Sequence, residues 1–379
     1  MTDSSLLYNL SGIPMIVLCC AGAAFVIQVF YFLFFYCRFC LFKPKDQTNA
    51  QEAVSVIICA RNEDWKLEKF LPAILEQDYP AFEVIVVNDF SEDNTYYLLH
   101  DMAKIYPRLK IVHLFENHNF FIGKKFPLSI GIKSAEYDCI LLTDADCIPK
   151  DKNWIASMQR NFTDKTEFVL GYGAYQKKKG LLNKLIRFDT FQIALQYFSY
   201  ALAGIPYMGV GRNLGYRKKL FLESRGFTSH YNIVSGDDDL YVNQHAHGSN
   251  TRIEISPESH TISQAAETFK EWRRQKQRHL TTAKHYKFKH QILLTLFPFS
   301  LVIFYLSIVA SAVLLSNLAV VGGLWLLRSI TQLLVYKNSM RRLGEKDLLL
   351  FSPVFEIYFL FFYPITYVTN RFNKTRRWK

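Results

Sequence analysis

The stretch Cys139-Ile-Leu-Leu-Thr-Asp-Ala-Asp146 joins a short apolar run to two carboxylates one residue apart. Such a run predicts a buried strand of a parallel sheet, so Asp144 and Asp146 are expected at its carboxyl end. Two carboxylates this close repel each other unless a cation lies beside them. A divalent ion with oxygen ligands, Mg²⁺ or Mn²⁺, meets that need. The stretch therefore predicts a cation site at a strand end, against the alternative of a solvated acidic turn.

Apolar strands alternate with helical patterns through the chain before this stretch. Strands are predicted at 54–60, 83–87, 110–114 and 139–143, and helices at 64–77, 95–105 and 124–134. This alternation indicates right-handed βαβ units, and hence an α/β domain with a Rossmann-like, mostly parallel sheet. Ligands bind such sheets at the carboxyl ends of strands. Three of the predicted ends carry polar residues: Arg61-Asn-Glu63, Asp89 and Asp144-Ala-Asp146.

Apolar residues concentrate towards the two ends of the 379-residue chain. Half of all residues are hydrophobic, with 32 Phe and 22 Tyr, which suits a protein that lies partly in lipid. We predict a transmembrane anchor at 1–45, a globular domain at 50–290 and transmembrane or interfacial helices at 291–379. The seven cysteines are odd in number and show no disulfide pattern, which favours a reducing compartment.

Four apolar stretches are candidates for the bilayer, which about 20 helical residues can cross. They are 13–36, 292–315, 318–336 and 352–368. The first has no basic region before it and continues past its small residues, so an uncleaved anchor is favoured over a signal peptide. The last contains Pro353, Glu356 and Pro364. For this stretch a re-entrant or interfacial placement stays open beside a full crossing.

Basic residues beside the apolar stretches account for much of the net charge of +12. Lys43 and Lys45 follow the first stretch, residues 371–379 form a basic tail, and acidic Asp3 precedes the first stretch. The positive-inside rule then places the globular domain in the cytoplasm of an integral plasma-membrane or inner-membrane protein that contacts membrane lipids. Charge that follows the membrane segments argues against nucleic-acid binding.

Six motifs follow one another across the expected globular domain. They are Val54-Ser-Val-Ile-Ile-Cys-Ala-Arg-Asn-Glu63, Val86-Val-Asn-Asp-Phe-Ser-Glu-Asp-Asn-Thr95, Gly123-Lys-Lys, Asp144-Ala-Asp146, Gly236-Asp-Asp-Asp-Leu240 and Gln275-Lys-Gln-Arg-His279. In this order they resemble the motifs of family 2 inverting glycosyltransferases with the GT-A fold. The resemblance covers about residues 50–290, and it implies a GT-A domain flanked by transmembrane helices.

The resemblance also implies a donor site at the carboxyl ends of the first, second and fourth strands. There Asp89 would accept hydrogen bonds from the nucleotide base, Asp146 would ligate the metal, and Asp144 would contact the ribose or the metal. The other implied donor-binding residues are Ala60, Asn62, Glu63, Lys124, Gln275 and Arg278. Lysines at a helix start run against the helix macrodipole, which gives Lys124 or Lys125 a reason to face the donor phosphates.

Inverting transfer to a hydroxyl needs a carboxylate base on the face opposite the leaving group. By the resemblance, and with the motif anchored on Leu240, that base is Asp237, and Asp238 is the second candidate because Gly236 replaces the usual Glu. The implied acceptor-side residues are Gly211 and Asn213, within Gly209-Val-Gly-Arg-Asn-Leu-Gly-Tyr-Arg217, and His279. His279 replaces the Trp of polymerising members, which weakens the case for a processive enzyme.

We therefore expect an inverting, metal-dependent glycosyltransferase of the hexosyltransferase type, working in cell-envelope polysaccharide or glycolipid biosynthesis. It would move a sugar from a nucleotide-diphospho-sugar, uridine-linked by the resemblance, to a lipid or a membrane-associated glycan. A processive polysaccharide synthase is the alternative, although few spans are available for a channel. A nucleotidyltransferase would need a basic Gly-rich loop, which Ala60-Arg-Asn-Glu63 is not. A non-catalytic membrane scaffold would not depend on its carboxylates.

Overall fold

The computed structural model describes residues 12–44, 51–115 and 123–372. Asp3, Lys45 and residues 373–379, which carry part of the expected membrane orientation, lie outside the described residues. The helices are α1 (Ile13–Cys40), α2 (Asp64–Leu75), α3 (Thr95–Ile105), α4 (Lys125–Ser134), α5 (Trp154–Gln159), α6 (Leu181–Leu202), α7 (Lys218–Glu223), α8 (Asp239–His245), α9 (Phe269–His279), α10 (Phe288–Val313), α11 (Leu318–Leu343) and α12 (Ser352–Phe372). The strands are β1 (Val54–Ala60), β2 (Phe82–Asp89), β3 (Leu109–Leu114), β4 (Cys139–Leu142), β5 (Cys147–Pro149), β6 (Phe168–Leu170), β7 (Gly173–Tyr175), β8 (Leu214–Arg217), β9 (Thr251–Ile253) and β10 (Thr261–Ser263).

The central sheet has seven strands in the order β3-β2-β1-β4-β8-β6-β9. Its first four strands are parallel, with Val54 of β1 opposite both Phe82 of β2 and Cys139 of β4. Every residue of β1 is buried, as expected of a strand inside a parallel sheet that is covered on both faces. β8 runs antiparallel between β4 and β6. The expected α/β domain with a mostly parallel sheet is confirmed, and the sheet is mixed on one side.

A smaller sheet, in the order β5-β10-β7, begins directly after the acidic pair. Cys147 of β5 lies opposite Ser263 of β10 in an antiparallel pairing. Tyr175 of β7 lies opposite the same Ser263 in a parallel pairing. The sequence patterns did not predict these three-residue strands, which bring Tyr175 and Ser263 to the edge of the acidic pair's cavity.

The long helix α6 connects the globular domain to the apolar helices. Its Tyr197 hydroxyl donates to a backbone carbonyl just after β6 at 2.7 Å. Phe198 stacks on Phe39 of α1 with ring centroids 5.5 Å apart, and Phe188 packs against Phe355 of α12 at 5.4 Å. These buried aromatic residues belong to one continuous apolar core. The globular domain is therefore held at a fixed position against the apolar helices.

A buried polar cluster joins the four long apolar helices of the described residues. Arg328 of α11 donates to Gln28 of α1 at 2.7 Å, to Gln332 at 2.6 Å and to Glu356 at 2.8 Å. Tyr305 of α10 donates to Glu356 from the other side at 3.1 Å. A charge inside a membrane protein is costly unless it is paired, so this cluster fixes which helix faces meet.

Both ends of the last apolar segment contact the globular domain. Just before α12, Glu345 accepts a hydrogen bond from Arg187 of α6 at 3.0 Å. Near the other end, Asn370 donates to Gln277 of α9 at 2.8 Å. A single crossing would carry the two ends of a helix to opposite sides of a bilayer. These contacts favour a re-entrant or interfacial α12, although its segment is one of four in the described chain that are long and apolar enough to cross a membrane.

The polar cluster predicts a strong effect of Arg328→Met. Removing one partner leaves Glu356 buried without its cation, which destabilises a folded protein by about 3 kcal/mol or more. We expect a clearly lower melting temperature in detergent than for Arg341→Met, a matched change on an exposed position of the same helix. Equal melting temperatures for the two variants would contradict a structural role of the cluster.

Candidate active site

A cavity of about 1120 Å³ opens at the carboxyl ends of β1 and β4 and continues between the C-terminal helices. Many of the expected site residues line it together: Glu63, Lys124, Asp144, Asp146, Gly211, Asp237, Asp238, Gln275, Arg278 and His279. Residues that follow β1 and β4 thus meet residues of the later motifs in one cavity at the carboxyl ends of these strands, where ligands bind such sheets.

Asp144 and Asp146 form an acidic centre in this cavity together with Cys147. Ligand atoms of the three side chains lie within 4.8 Å of one another. Burial raises the pKa of the Cys147 thiol, which therefore stays protonated and points at Asp146 Oδ1 from 3.7 Å. Hard divalent cations take carboxylate oxygens and water rather than a thiol. The two carboxylates fit Mg²⁺ or Mn²⁺, with Cys147 beside them.

Lys124 forms an ion pair with Asp144. Gly123 precedes it with a φ of 102°, and a Cβ at this glycine would lie only 2.4 Å from the carbonyl oxygen of Val234. Burial disfavours both charges of the pair, but mutual attraction raises the pKa of Lys124 and lowers that of Asp144. The lysine expected to face the donor phosphates thus lies next to the acidic centre.

Two arginines add positive charge around the acidic centre. The Arg212 guanidinium stacks over the Tyr175 ring at 4.1 Å from its centroid. Gln275 of α9 donates to the Tyr175 hydroxyl at 3.1 Å, and Arg278 lies one turn further along α9. Next to burial and Lys124, both arginines act on Asp144 and help to lower its pKa. Guanidinium groups pair well with phosphates, so this wall suits a diphosphate.

Asp238 and Asp239 are both held by hydrogen bonds within the protein. Asp238 accepts from the backbone N–H groups of Gly211 and Asp239, each at 2.7 Å, and caps α8. Asp239 accepts from the Tyr286 hydroxyl at 2.7 Å and from Thr282. Burial and the neighbouring carboxylates raise the pKa of Asp238 to about 8. These two carboxylates therefore hold the backbone around the cavity.

Asp237 has a different environment from its two neighbours. It lines the cavity, and among the described residues no donor is hydrogen-bonded to it. Its negative charge favours the protonated forms of Lys124 and Lys125. Of the two base candidates, Asp237 is thus the carboxylate with open lone pairs towards the cavity, while Asp238 is engaged by backbone N–H groups.

Lys125 holds the loop that leads to Asp237. Its side chain is 1 % exposed, and Nζ donates to the carbonyl oxygens of His230 at 2.8 Å, of Ser235 at 2.7 Å and of Ile233. Burial lowers the pKa of Lys125 to about 8 although the nearby carboxylates favour its charge. The two lysines of the motif therefore have separate positions, Lys124 at the acidic centre and Lys125 beneath the loop.

Ala60, Asn62 and Asp89 lie outside the cavity lining although they are near its strand ends. Ala60 is fully buried at the end of β1. Asn62 accepts a hydrogen bond from Glu92 N at 2.8 Å and ties the turn after β1 to the turn after β2. Asp89 ends β2, and burial raises its pKa while Arg61 acts to lower it.

Asn213, expected on the acceptor side, is placed in the core. It is fully buried, and its amide accepts from Trp154 Nε1 at 3.1 Å. The same amide donates to the carbonyl oxygens of Tyr172 at 3.0 Å and Ser259 at 2.7 Å. All these hydrogen bonds are needed because an unpaired buried amide is destabilising. Asn213 therefore supports the structure beneath the cavity.

Arg212 is the main cavity residue that the sequence patterns did not single out. It lies directly between Gly211 and Asn213, the two residues that the family resemblance indicated. Its donors reach Ser263 Oγ at 2.6 Å on β10, which no local pattern predicts. The available signal was a cation inside a glycine-rich segment already assigned to the site.

The loop contacts predict that Lys125→Met destabilises the protein by about 2–3 kcal/mol, because three buried or partly buried carbonyls lose their donor. Lys133→Met removes an exposed lysine from the same helix and should change stability by no more than about 0.5 kcal/mol. Chemical unfolding in detergent measures both variants. If Lys125→Met matched the control, the carbonyl contacts would not hold the loop.

The raised pKa of Asp238 predicts a pH-dependent stability. Between about pH 4 and 8 the folded protein holds a proton that the unfolded chain has released, so this carboxyl's contribution to stability falls as pH rises. Asp238→Asn cannot ionise. We expect the unfolding midpoint of the wild type to decline relative to that of Asp238→Asn over this range, whereas parallel curves would exclude the shift.

Comparison with known proteins gives matches over the globular domain. The family model for glycosyl transferase family 2 matches residues 55–224. A poly-beta-1,6-N-acetyl-D-glucosamine synthase of Staphylococcus epidermidis is 30% identical over 144 residues, which are 37% of this chain and 33% of that protein. The probable glycosyltransferase YdaM of Bacillus subtilis is 28% identical over 248 residues, which are 62% of this chain and 56% of that protein.

Among solved structures, the mannosyltransferase PcManGT of Pyrobaculum calidifontis, in complex with GDP-Man and Mn²⁺, matches with a TM-score of 0.58 at 21% identity. The match covers 92% of this chain and 99% of that chain, and it shows a shared fold. The chain spans only a third of the length of the synthase and just over half of that of YdaM. Sequence match and architecture agree: residues 55–224 match a glycosyl transferase family 2 domain, and the globular domain that contains them has a GT-A-like fold.

Proposed function

We propose that this protein is an inverting glycosyltransferase that moves a sugar from a nucleotide-diphospho-sugar to a hydroxyl of a lipid or membrane-associated glycan. One observation carries the proposal: a single cavity holds the Asp144–Asp146 pair, the surrounding cations, and Asp237 with lone pairs open to the cavity. The first two features suit a diphosphate with a divalent cation, and the third suits a base.

The acidic pair is proposed to hold Mg²⁺ or Mn²⁺ through Asp146 and Asp144. A bound divalent cation supplies positive charge that stabilises a departing nucleoside diphosphate. Lys124, Arg212 and Arg278 lie around the same point and add donors for phosphate oxygens. The similar fold of PcManGT, solved with GDP-Man and Mn²⁺, supports this arrangement.

Asp237 is proposed to take the proton of the attacking hydroxyl. The acceptor oxygen forms a bond to the anomeric carbon while the bond from that carbon to the diphosphate oxygen breaks, in line and with inversion. The electron pair leaves with the diphosphate, and the proton goes to Asp237. A positioned general base of this kind contributes roughly 10²- to 10⁴-fold to the rate.

The nucleotide base is proposed to bind beyond the phosphates, near the ends of β1 and β2. Arg61 follows β1, the strand beside β4 in the sheet, and Asp89 ends β2, the strand on the other side of β1. A carboxylate accepts hydrogen bonds from an imide N–H, which suits uracil. The basic residues Lys43, Arg341 and Arg342 flank the apolar helices on the side of the globular domain, which supports a cytoplasmic active site.

Purified full-length protein in lipid vesicles tests this function with a panel of labelled nucleotide-sugars, with and without Mn²⁺. We expect Mn²⁺-dependent donor turnover in the wild type. Asp237→Asn should lower transfer by roughly 10²- to 10⁴-fold while donor binding remains, because only the base is lost. Asp146→Asn should abolish the response to Mn²⁺.

Asp164→Asn, an exposed aspartate of the same domain, is the matched control and should behave as the wild type. Absence of turnover with every donor would refute the proposal and favour a non-catalytic scaffold. Full transfer activity of Asp237→Asn would refute the base assignment and leave the donor site standing.

A processive polysaccharide synthase is the second candidate. The observation in its favour is the sequence match to the poly-beta-1,6-N-acetyl-D-glucosamine synthase. Against it, His279 lines the cavity where the polymerising motif has Trp. The length of the labelled product separates the two, because one addition gives a discrete product and repeated addition gives a ladder.

A further inference from the structure

The cavity of the active site extends past the globular domain into a cleft between α10 and α12. On α10 it is lined by Leu294, Pro298 and Val302, and on α12 by Leu360 and Pro364. Spacings of three and four residues place such side chains on one face of a helix. The apolar faces of α10 and α12 therefore lie opposite each other across a gap that is continuous with the cavity at the acidic centre.

The far end of the cleft is closed by polar contacts. There the Tyr305 hydroxyl of α10 donates to Glu356 of α12 at 3.1 Å. The lined face of α10 runs from Gln291, at the globular end, to Val302, and these twelve residues span about 17 Å of helix. The cleft is long enough for a substantial part of a hydrocarbon chain.

The side of the cleft is open in the region of the apolar helices. Phe299 and Tyr367 both line the cavity, and each is 58% exposed. Around them the outward faces of the two helices are apolar and exposed, as at Val309 and Ile365. Apolar surface of this kind is stable against lipid and unfavourable in water. A ligand can thus enter sideways from a bilayer.

We propose that this cleft binds the hydrocarbon chain of a membrane lipid whose polar end carries the accepting hydroxyl. The inference rests on the proposed transferase function and deepens it. A passing glycan would need many hydrogen-bonding groups. The cavity offers such groups on α6, at Gln192 and Gln196, whereas the facing positions of α10 and α12 are mainly aliphatic, aromatic and proline side chains. Burying a hydrocarbon chain there is favourable by the hydrophobic effect.

The cleft also orients the polar end of the lipid. It joins the globular part of the cavity near Gln291 and Tyr286, and Tyr286 is hydrogen-bonded to Asp239 in the acidic motif. A chain lying in the cleft therefore presents its polar end towards Asp237. A carboxylate base is needed for a hydroxyl and not for a phosphate oxygen, so the nucleophile is a hydroxyl whose proton passes to Asp237 as its oxygen bonds to the sugar.

Tryptophan substitutions test the cleft in the full-length protein. Val302→Trp and Leu360→Trp fill it, while Val309→Trp and Ile365→Trp add the same side chain to exposed faces of the same two helices. The vesicles contain phosphatidylethanolamine, phosphatidylglycerol and dioleoylglycerol, and the hydroxyls of the last two are the acceptor probes. Labelled donor is then followed into the organic phase and, separately, into free sugar.

We expect wild-type label in the organic phase and about a tenfold or greater loss with both cleft variants, as overpacking of a binding cleft implies. Donor hydrolysis, which reports an intact fold and donor site, should be unchanged in all four variants. Two outcomes would overturn the lipid inference without contradicting the transferase function. One is donor hydrolysis with no label in lipid, and the other is equal lipid labelling by the cleft and control variants. If the wild-type protein turned over no donor at all, the proposed transferase function would itself be refuted.

Crosslinking gives a second test that needs no turnover. A phosphatidylglycerol with a photoactivatable acyl chain is added to the vesicles, and labelled peptides are identified by mass spectrometry. We expect label on residues 291–302 and 356–367, with loss of that label in Leu360→Trp but not in Ile365→Trp. Label confined to the outward faces of the helices would overturn the proposal.

Discussion

The unfavourable free energy of placing the carboxylates of Asp144 and Asp146 next to each other, at the end of a buried strand, governs the arrangement of the site. Lys124 offsets part of this repulsion by forming an ion pair with Asp144. Arg212 and Arg278 contribute from two other segments of the chain, and both help to lower the pKa of Asp144 after burial and Lys124. The positive charge that lowers the pKa of Asp144 is the same charge that a diphosphate would meet.

The acidic motif divides its work among three adjacent carboxylates. Asp238 holds the backbone at Gly211, and Asp239 holds Tyr286 at the entry to α10. Lys125 fixes the loop before them through backbone carbonyls. The backbone on both sides of Asp237 is therefore restrained. The Asp237 side chain can face the cavity without needing hydrogen bonds of its own to hold it there. Such preorganisation is what proton transfer at a fixed point requires.

Much of the fold could be predicted from the sequence because its signals are local. The apolar runs of β1 and β4 and the polar residues after them identify a parallel sheet and its binding edge. β8 was not predicted, since Leu214–Arg217 is short and its antiparallel place depends on pairing with β4 and β6. Long-range pairing of this kind leaves no pattern within the segment itself.

The candidate site likewise contains some residues that the sequence identified and others whose positions only the structure gives. Asp144, Asp146 and Asp237 were predictable as carboxylates in ordered motifs, and they share one cavity. The different positions of Lys124 and Lys125 were not predictable. The sequence gives no reason to distinguish two adjacent lysines, and the distinction arises only when the loop at 230–235 packs against Lys125. Asn213 shows the converse: the family resemblance implied a position on the acceptor side, and the structure places the residue in the core, hydrogen-bonded to Trp154.

The apolar helices complete the active site as well as anchoring it. Lys276 of α9 is paired with Asp189 of α6, and the Tyr363 hydroxyl of α12 donates to the same Asp189. One turn earlier on α9, Trp272 stacks on Phe362 of α12 at 4.7 Å. The helix that carries Arg278 is thus held between α6 and α12. A globular domain without α12 would keep its acidic pair and lose the support that positions Arg278, so the proposed donor site and the hydrophobic cleft depend on the same helix.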